Sequence, residues 1–285
     1  TSFRSAASHL QEAGLWPLLD STLDVLVREP DAHPAAGILW AQSKTSLQHW
    51  DAYQALRTLL QAGPIGEQAV CAWVDQVVAQ CETYQLQRMA CVGEYWLGDN
   101  PVAWGAIASG FRQLRLLQQG HYWVVGWRDR EGLTTTDLLS VSEILRGSGD
   151  DAGGAEANRT ALARHPADDT QHAHTCWLAA DAVLCDDFDT ADKLVQQLDV
   201  TGFDPAERFL YQLLTAAVGV GRVDPPRLPE ALSDAVRSID GARSQYPSLL
   251  ADPARLRVFR YLLTQLSDRG GAGIRLWCWW RRLWL

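Results

Sequence analysis

Apolar side chains return at helical spacing along nearly the whole chain. Val70, Trp73, Val74, Val77 and Val78 fall at i, i+3, i+4, i+7 and i+8, which sets them on one stripe. Ala191, Leu194, Val195 and Leu198 repeat the phrase, as do Leu19, Leu23 and Leu26, and Leu256, Phe259, Leu263 and Leu266. Start signals agree. Asn100-Pro101, Asp204-Pro205 and Asp252-Pro253 each set a capping side chain before a proline at the first helical position. Gly14, Gly63, Gly120 and Gly202 follow the stripes as stops. Only Tyr122 to Trp127 (YWVVGW) reads like a strand, and one strand alone has no partner. The pattern predicts an all-α chain.

The helices are short and come in pairs. Pro30 and Pro64 each close a helix, and between them the spacing predicts a first helix over roughly Pro34 to Leu47 and a second over Trp50 to Ala62. Ala36, Leu39 and Trp40 on the first helix face Ala52 and Leu56 on the second. The phrase returns in residues 135–166, with Leu138, Val141, Ser142 and Leu145, then Ala161 and Pro166. It returns again in residues 172–205, with Leu178, Ala179 and Ala182, then Ala191, Val195, Leu198 and Pro205. Over about half its length the chain resembles the tetratricopeptide repeat. Trp40 departs from that pattern by standing where a small residue is usual.

The resemblance implies an α-solenoid of antiparallel helix pairs, stacked as a right-handed superhelix with the first helix of each pair lining a concave side. Such stacking has a physical cause: one hairpin cannot bury both its faces, and small residues such as Ala52, Ala179 and Ala191 let neighbouring helices approach. On this reading residues 1–120 form an N-terminal hairpin array, 121–136 an irregular connection, 137–268 a C-terminal array and 269–285 a Trp/Arg-rich tail. Gly147 to Gly154 (GSGDDAGG) is expected to be an acidic flexible loop.

Charge narrows the partners. The net charge is −9, and Lys44 and Lys193 are the only lysines, so the basic stripe that a nucleic-acid binder needs is missing. No apolar run is long enough for a membrane span. The tail stands apart: Ile274 to Leu285 reads IRLWCWWRRLWL, a composition suited to packing on the last repeat or to peripheral contact with a membrane surface, and abrupt enough to fit a cloning or reading-frame artefact. The six cysteines form no C-x-x-C pair, and reduced thiols in a cytoplasmic protein are expected.

Candidate chemistry is sparse. His165, His172, His174, Cys176 and Cys185 lie among Asp168, Asp169, Asp181, Asp186, Asp187 and Asp189. His172 and Cys176 share a helical face, but a zinc site needs two more converging ligands, so the cluster reads as a solvated repeat junction and no metal or other cofactor is expected. Nucleophile elbow, phosphate loop, dinucleotide fingerprint and H-E-x-x-H are all absent. The expected function is therefore a non-catalytic scaffold or adaptor that binds a protein or peptide on its concave face. The alternative is an accessory helical region of a larger enzyme, for example a glycosyl- or sulfo-transferase. Groove candidates are Lys44, Glu143, Arg146, Arg208 and Tyr211, together with Arg112 and Arg115, which follow Trp104 as a cationic patch with an aromatic edge.

Overall fold

A computed structural model describes residues 64–96, 100–165, 171–223, 227–245 and 252–282, and the single positions Ser21 and Val25. Among the described residues there are twelve α-helices, two short 3-10 turns and no strand. The protein is all-α. The chain divides into two compact units, residues 1–133 and 134–285.

In the first unit the described helices are α1 (Pro64–Ala79), α2 (Thr83–Trp96), α3 (Pro101–Gln113) and α4 (Leu117–Val124). The stripe read from the sequence is the buried face of α1: Val70, Trp73, Val74 and Val77 are buried, as are Leu86 and Met89 of α2 and Trp104, Ile107 and Phe111 of α3, and α1 packs against both of those helices. Asn100 caps α3 as expected: its side chain accepts from the Ala103 amide at 2.9 Å, and Pro101 opens the helix.

The strand-like segment is helical. Tyr122 to Val124 end α4, and Trp127 begins a 3-10 turn. Gly120, Val124 and Trp127 are buried while Tyr122 and Val125 face solvent, which is a helical spacing and not an alternating one. Without a second strand to satisfy its backbone, burial of Val124 and Trp127 outweighs the β preference of these side chains.

The second unit holds α5 (Thr135–Ser148), α6 (Asp151–Arg164), α7 (Gln171–Leu184), α8 (Phe188–Gln196), α9 (Pro205–Arg222), α10 (Leu228–Gln245), α11 (Pro253–Arg269) and α12 (Ala272–Arg282). Consecutive helices pack as pairs, α5 with α6, α7 with α8, α9 with α10 and α11 with α12. Leu138, Val141, Leu145, Ala161, Ala179 and Ala191 of the repeated phrase are all in the core. Asp204 forms a capping box with Glu207 at the start of α9, and Asp252 accepts from the Ala254 and Arg255 amides at the start of α11. Pro205 opens α9, and Pro64 opens α1, where a closing role was expected. Ala36, Leu39, Trp40, Ala52, Leu56 and Pro166 lie outside the described residues.

Two further expectations are corrected. The segment 147–154 is a tight corner, not a flexible loop. Gly149 ends α5 in the left-handed region at φ 100°, and Asp150 at once caps α6 by accepting from the Gly153 amide at 2.8 Å. Gly154 is where α5 and α6 touch: a Cβ there would lie 2.6 Å from Cγ of Arg146 and 3.0 Å from the Ser142 carbonyl. Because Arg146 is itself held by Asp181, it has little room to give. Gly154→Val is expected to destabilise the chain by about 1–3 kcal/mol through overpacking. An unchanged urea midpoint would rule out this crossing.

The second correction concerns the expected groove. α11 packs against α5, α7 and α9, the first helices of the three preceding pairs. In this unit the face expected to stand open is covered by the chain's own helix, and an apolar core runs from Cys176 to Cys278.

Candidate functional site

The described residues form a cleft of about 490 Å³ in the first unit. α3 supplies one wall: Trp104 and Phe111 are seven residues apart, hence on one helical face, and both are almost fully buried. The chain then reverses over Leu114–Leu116, with Arg115 in the left-handed region at φ 55°. That reversal brings Gln119, Tyr122 and Trp123 of α4 to the opposite side. Gln87, Ala90 and Cys91 of α2 line the cleft as well, and Val125, Gly126 and Arg130 come from the turn after α4.

Three contacts fix the aromatic wall. The indoles of Trp104 and Trp123 stack with centroids 6.2 Å apart and planes 21° apart. Trp123 Nε1 donates to the Trp104 carbonyl oxygen at 3.1 Å, which ties α4 to α3 at that point. The Arg130 guanidinium sits 4.8 Å from the Trp104 ring centroid, within cation–π range. At the rim, Tyr122 is 82% exposed and Val125 faces solvent. The wall is thus rigid, apolar and π-rich, and the Gln87 and Gln119 amides add hydrogen-bonding groups. Its volume lies in the range of pockets that enclose a small ligand or a large side chain.

The residues singled out from sequence do not converge here. Arg112 is half-buried on α3 and Arg115 is exposed in the reversal; neither lines the cleft, and Arg130 stands where a cation beside Trp104 was sought. Lys44 lies outside the described residues. Arg208 is exposed and donates to the Phe203 carbonyl at 3.2 Å, and half-buried Tyr211 meets the Phe203 ring edge-on at 5.6 Å.

Glu143 and Arg146 are not groove positions, because they are sealed inside the second unit. Arg146 is 2% exposed and pairs with Asp181 of α7 through both terminal nitrogens. Glu143 accepts from Arg255 of α11 at 3.0 Å and from Trp177 Nε1 at 3.3 Å. Both guanidiniums lie over the Trp177 ring, at 5.3 and 5.4 Å. Burial works against the charge on Arg255, but Glu143, Asp252 and Asp204 outweigh it and hold the pKa above the ordinary arginine value. The network is an internal clasp joining α5, α7 and α11.

The histidine and cysteine cluster also disperses, and part of it is buried where a solvated junction was expected. His172 Nε2 lies 3.1 Å from Glu207, with its ring stacked on Phe203 at 5.2 Å. His174 is fully buried, Nδ1 beside the Asn158 side chain at 2.8 Å and Nε2 beside the Thr135 carbonyl at 3.2 Å. With the Asn158 amide turned so that Nδ2 donates to Nδ1, neutral His174 is satisfied at both nitrogens and Nδ2, otherwise without a partner, gains one. Cys176 is buried; burial, then Glu207 and Asp204, push its thiol up to about 12, so it is no nucleophile near neutral pH. Cys185 is exposed, and Asp168 and Asp169 lie outside the described residues. Among the described residues no three metal-ligating side chains come together.

Sequence reasoning missed Trp123, Tyr122 and Arg130. Tyr122 and Trp123 left a signal in the aromatic density of residues 122–127, a strand-like run assigned to an irregular connection; Arg130 left none. No family model, curated protein or solved structure matches the chain.

Proposed function

We propose that this chain is a non-catalytic helical-repeat module that binds a peptide or another protein, and that the cleft walled by Trp104 and Trp123 receives an apolar or aromatic side chain of the partner. Stacking of its helix pairs as a tetratricopeptide-like right-handed superhelix belongs to the same proposal. The observation that carries the binding role is the stacked indole pair beside a cavity with Tyr122 at its rim. Rigid aromatic groups at a concave site give large contact area at low entropic cost, and interface hot spots are enriched in them. A cytoplasmic setting is part of the reading, supported by six cysteines of which none is in a disulfide.

The test is selection of a random peptide library on the immobilised full chain, followed by titration of the enriched peptides. Enrichment of an aromatic or bulky aliphatic residue is expected. Tyr122→Ala and Trp123→Ala should each weaken those peptides by roughly tenfold or more, the size of a hot-spot truncation, at unchanged helical circular dichroism. Peptides bound equally well by both variants would remove the cleft from the proposal.

A further inference from the structure

The last described helix carries a second surface, independent of the cleft. Gly270 lets the chain turn sharply from α11 into α12: a Cβ there would lie 2.6 Å from the Leu266 carbonyl and 2.7 Å from Ile274. One face of α12 is then locked onto its neighbours. Cys278 is fully buried, and Ile274 and Trp277 pack against the core. Trp277 Nε1 donates to Asp240 of α10 at 3.2 Å. Arg281 pairs with the same carboxylate while its guanidinium lies over the Trp277 ring.

Locking that face forces the opposite one outward. Leu276, Trp279 and Trp280 are spaced i, i+3 and i+4, within an arc of about 100°, and are 65%, 56% and 51% exposed. Among the described residues no other helix presents three large exposed apolar side chains. Their segment carries charge of one sign in sequence, although Asp240 of α10 pairs with Arg281. Residues 269–285 hold four arginines and no acid, while the rest of the chain holds all 34 acidic residues. Arg275, exposed and next to the arc, is bonded only to the Ser267 and Gly270 carbonyls in its side-chain contacts, which leaves its charge uncancelled there.

We infer that the Leu276–Trp279–Trp280 face docks on an anionic lipid surface, with α12 lying in the headgroup plane. Two indoles and a leucine supply the apolar insertion that headgroup regions accept, and the arginine-only segment supplies attraction to negative lipid. At eleven residues α12 is far too short to cross a bilayer, and no described helix is long and apolar enough to do so. A second copy of the chain is the poorer occupant, because two such helices would bring the exposed Arg275 of each together, and Asp240 is already engaged by Arg281.

The full chain is mixed with vesicles of phosphatidylcholine alone and of phosphatidylcholine with phosphatidylserine, and binding is read by co-sedimentation. Binding to the anionic vesicles is expected, falling as salt is raised. Trp279→Ala/Trp280→Ala should lose about tenfold or more of it at unchanged circular dichroism, since both side chains are at least half exposed. No binding to anionic vesicles, or equal binding by the double variant, overturns the inference. So does a concentration-dependent dimer that the double variant abolishes, which would assign the face to a second copy. None of these readings touches Tyr122 or Trp123, so failure here leaves the peptide cleft standing.

Discussion

Arg255→Met is expected to cost about 3–5 kcal/mol of unfolding free energy, the range for breaking a buried ion pair from one side. Arg255 and Glu143 are both nearly withdrawn from water, and 112 residues of sequence separate them. Methionine fills much of the arginine volume, so the loss falls on Glu143, whose carboxyl is left in a buried site without the Arg255 guanidinium. Arg255 Nε is already buried without a hydrogen-bond partner, so the pair is imperfect even when intact. The double variant Arg255→Met/Glu143→Leu removes both charges and should recover most of the loss. Urea denaturation of the two singles and the double gives the coupling directly. A single-variant cost below about 1 kcal/mol would mean that water reaches the clasp and that α11 does not seal it.

Trp104→Ala is expected to cost a similar amount, about 3–5 kcal/mol, and to abolish peptide capture as well. The indole is 1% exposed, so its removal leaves a cavity in the core of the first unit. It also takes away the surface on which Trp123 stacks and over which Arg130 rests. Trp123→Ala separates the two effects. Trp123 is half-exposed and its hydrogen bond runs to a backbone carbonyl, so its loss should weaken binding at a much smaller cost in stability. Trp104→Phe should restore part of the stability by refilling the core. Equal stability losses in Trp104→Ala and Trp123→Ala would contradict this division of roles.

How far the chain was legible differs from element to element. The caps at Asn100, Asp204 and Asp252 were readable because a cap is a contact between residues two or three apart. The α1 stripe was readable because burial of one helical face leaves its period in the sequence. Gly147 to Gly154 misled because its glycines suggested freedom. Of these glycines only Gly149 takes a left-handed conformation, while Gly154 serves the close approach of Arg146. Residues 122–127 look strand-like through their β-branched and aromatic side chains, and the want of a partner strand was legible; that they end α4 and enter a 3-10 turn, where an irregular connection was expected, was not.

The candidate site was less legible still. Trp104 and Trp123 are nineteen residues apart on different helices, and nothing in their spacing announces a stacked pair. Glu143 and Arg146 looked like surface charges because a polar residue on a first helix normally faces solvent. The arginines of α11 and the carboxylate of Asp181 make their burial tolerable.

The sequence by itself determined that the chain is helical, where several helices begin, and that its helices come in pairs, since each of these follows from contacts within a turn or two. Only the tertiary structure decided that α11 covers the first-helix face of the second unit, that α3 and α4 enclose an aromatic cleft, and that α12 turns two tryptophans outward. A period records that one face of a helix must be buried; which partner buries it is settled by packing among segments a hundred residues apart, and that leaves no local mark.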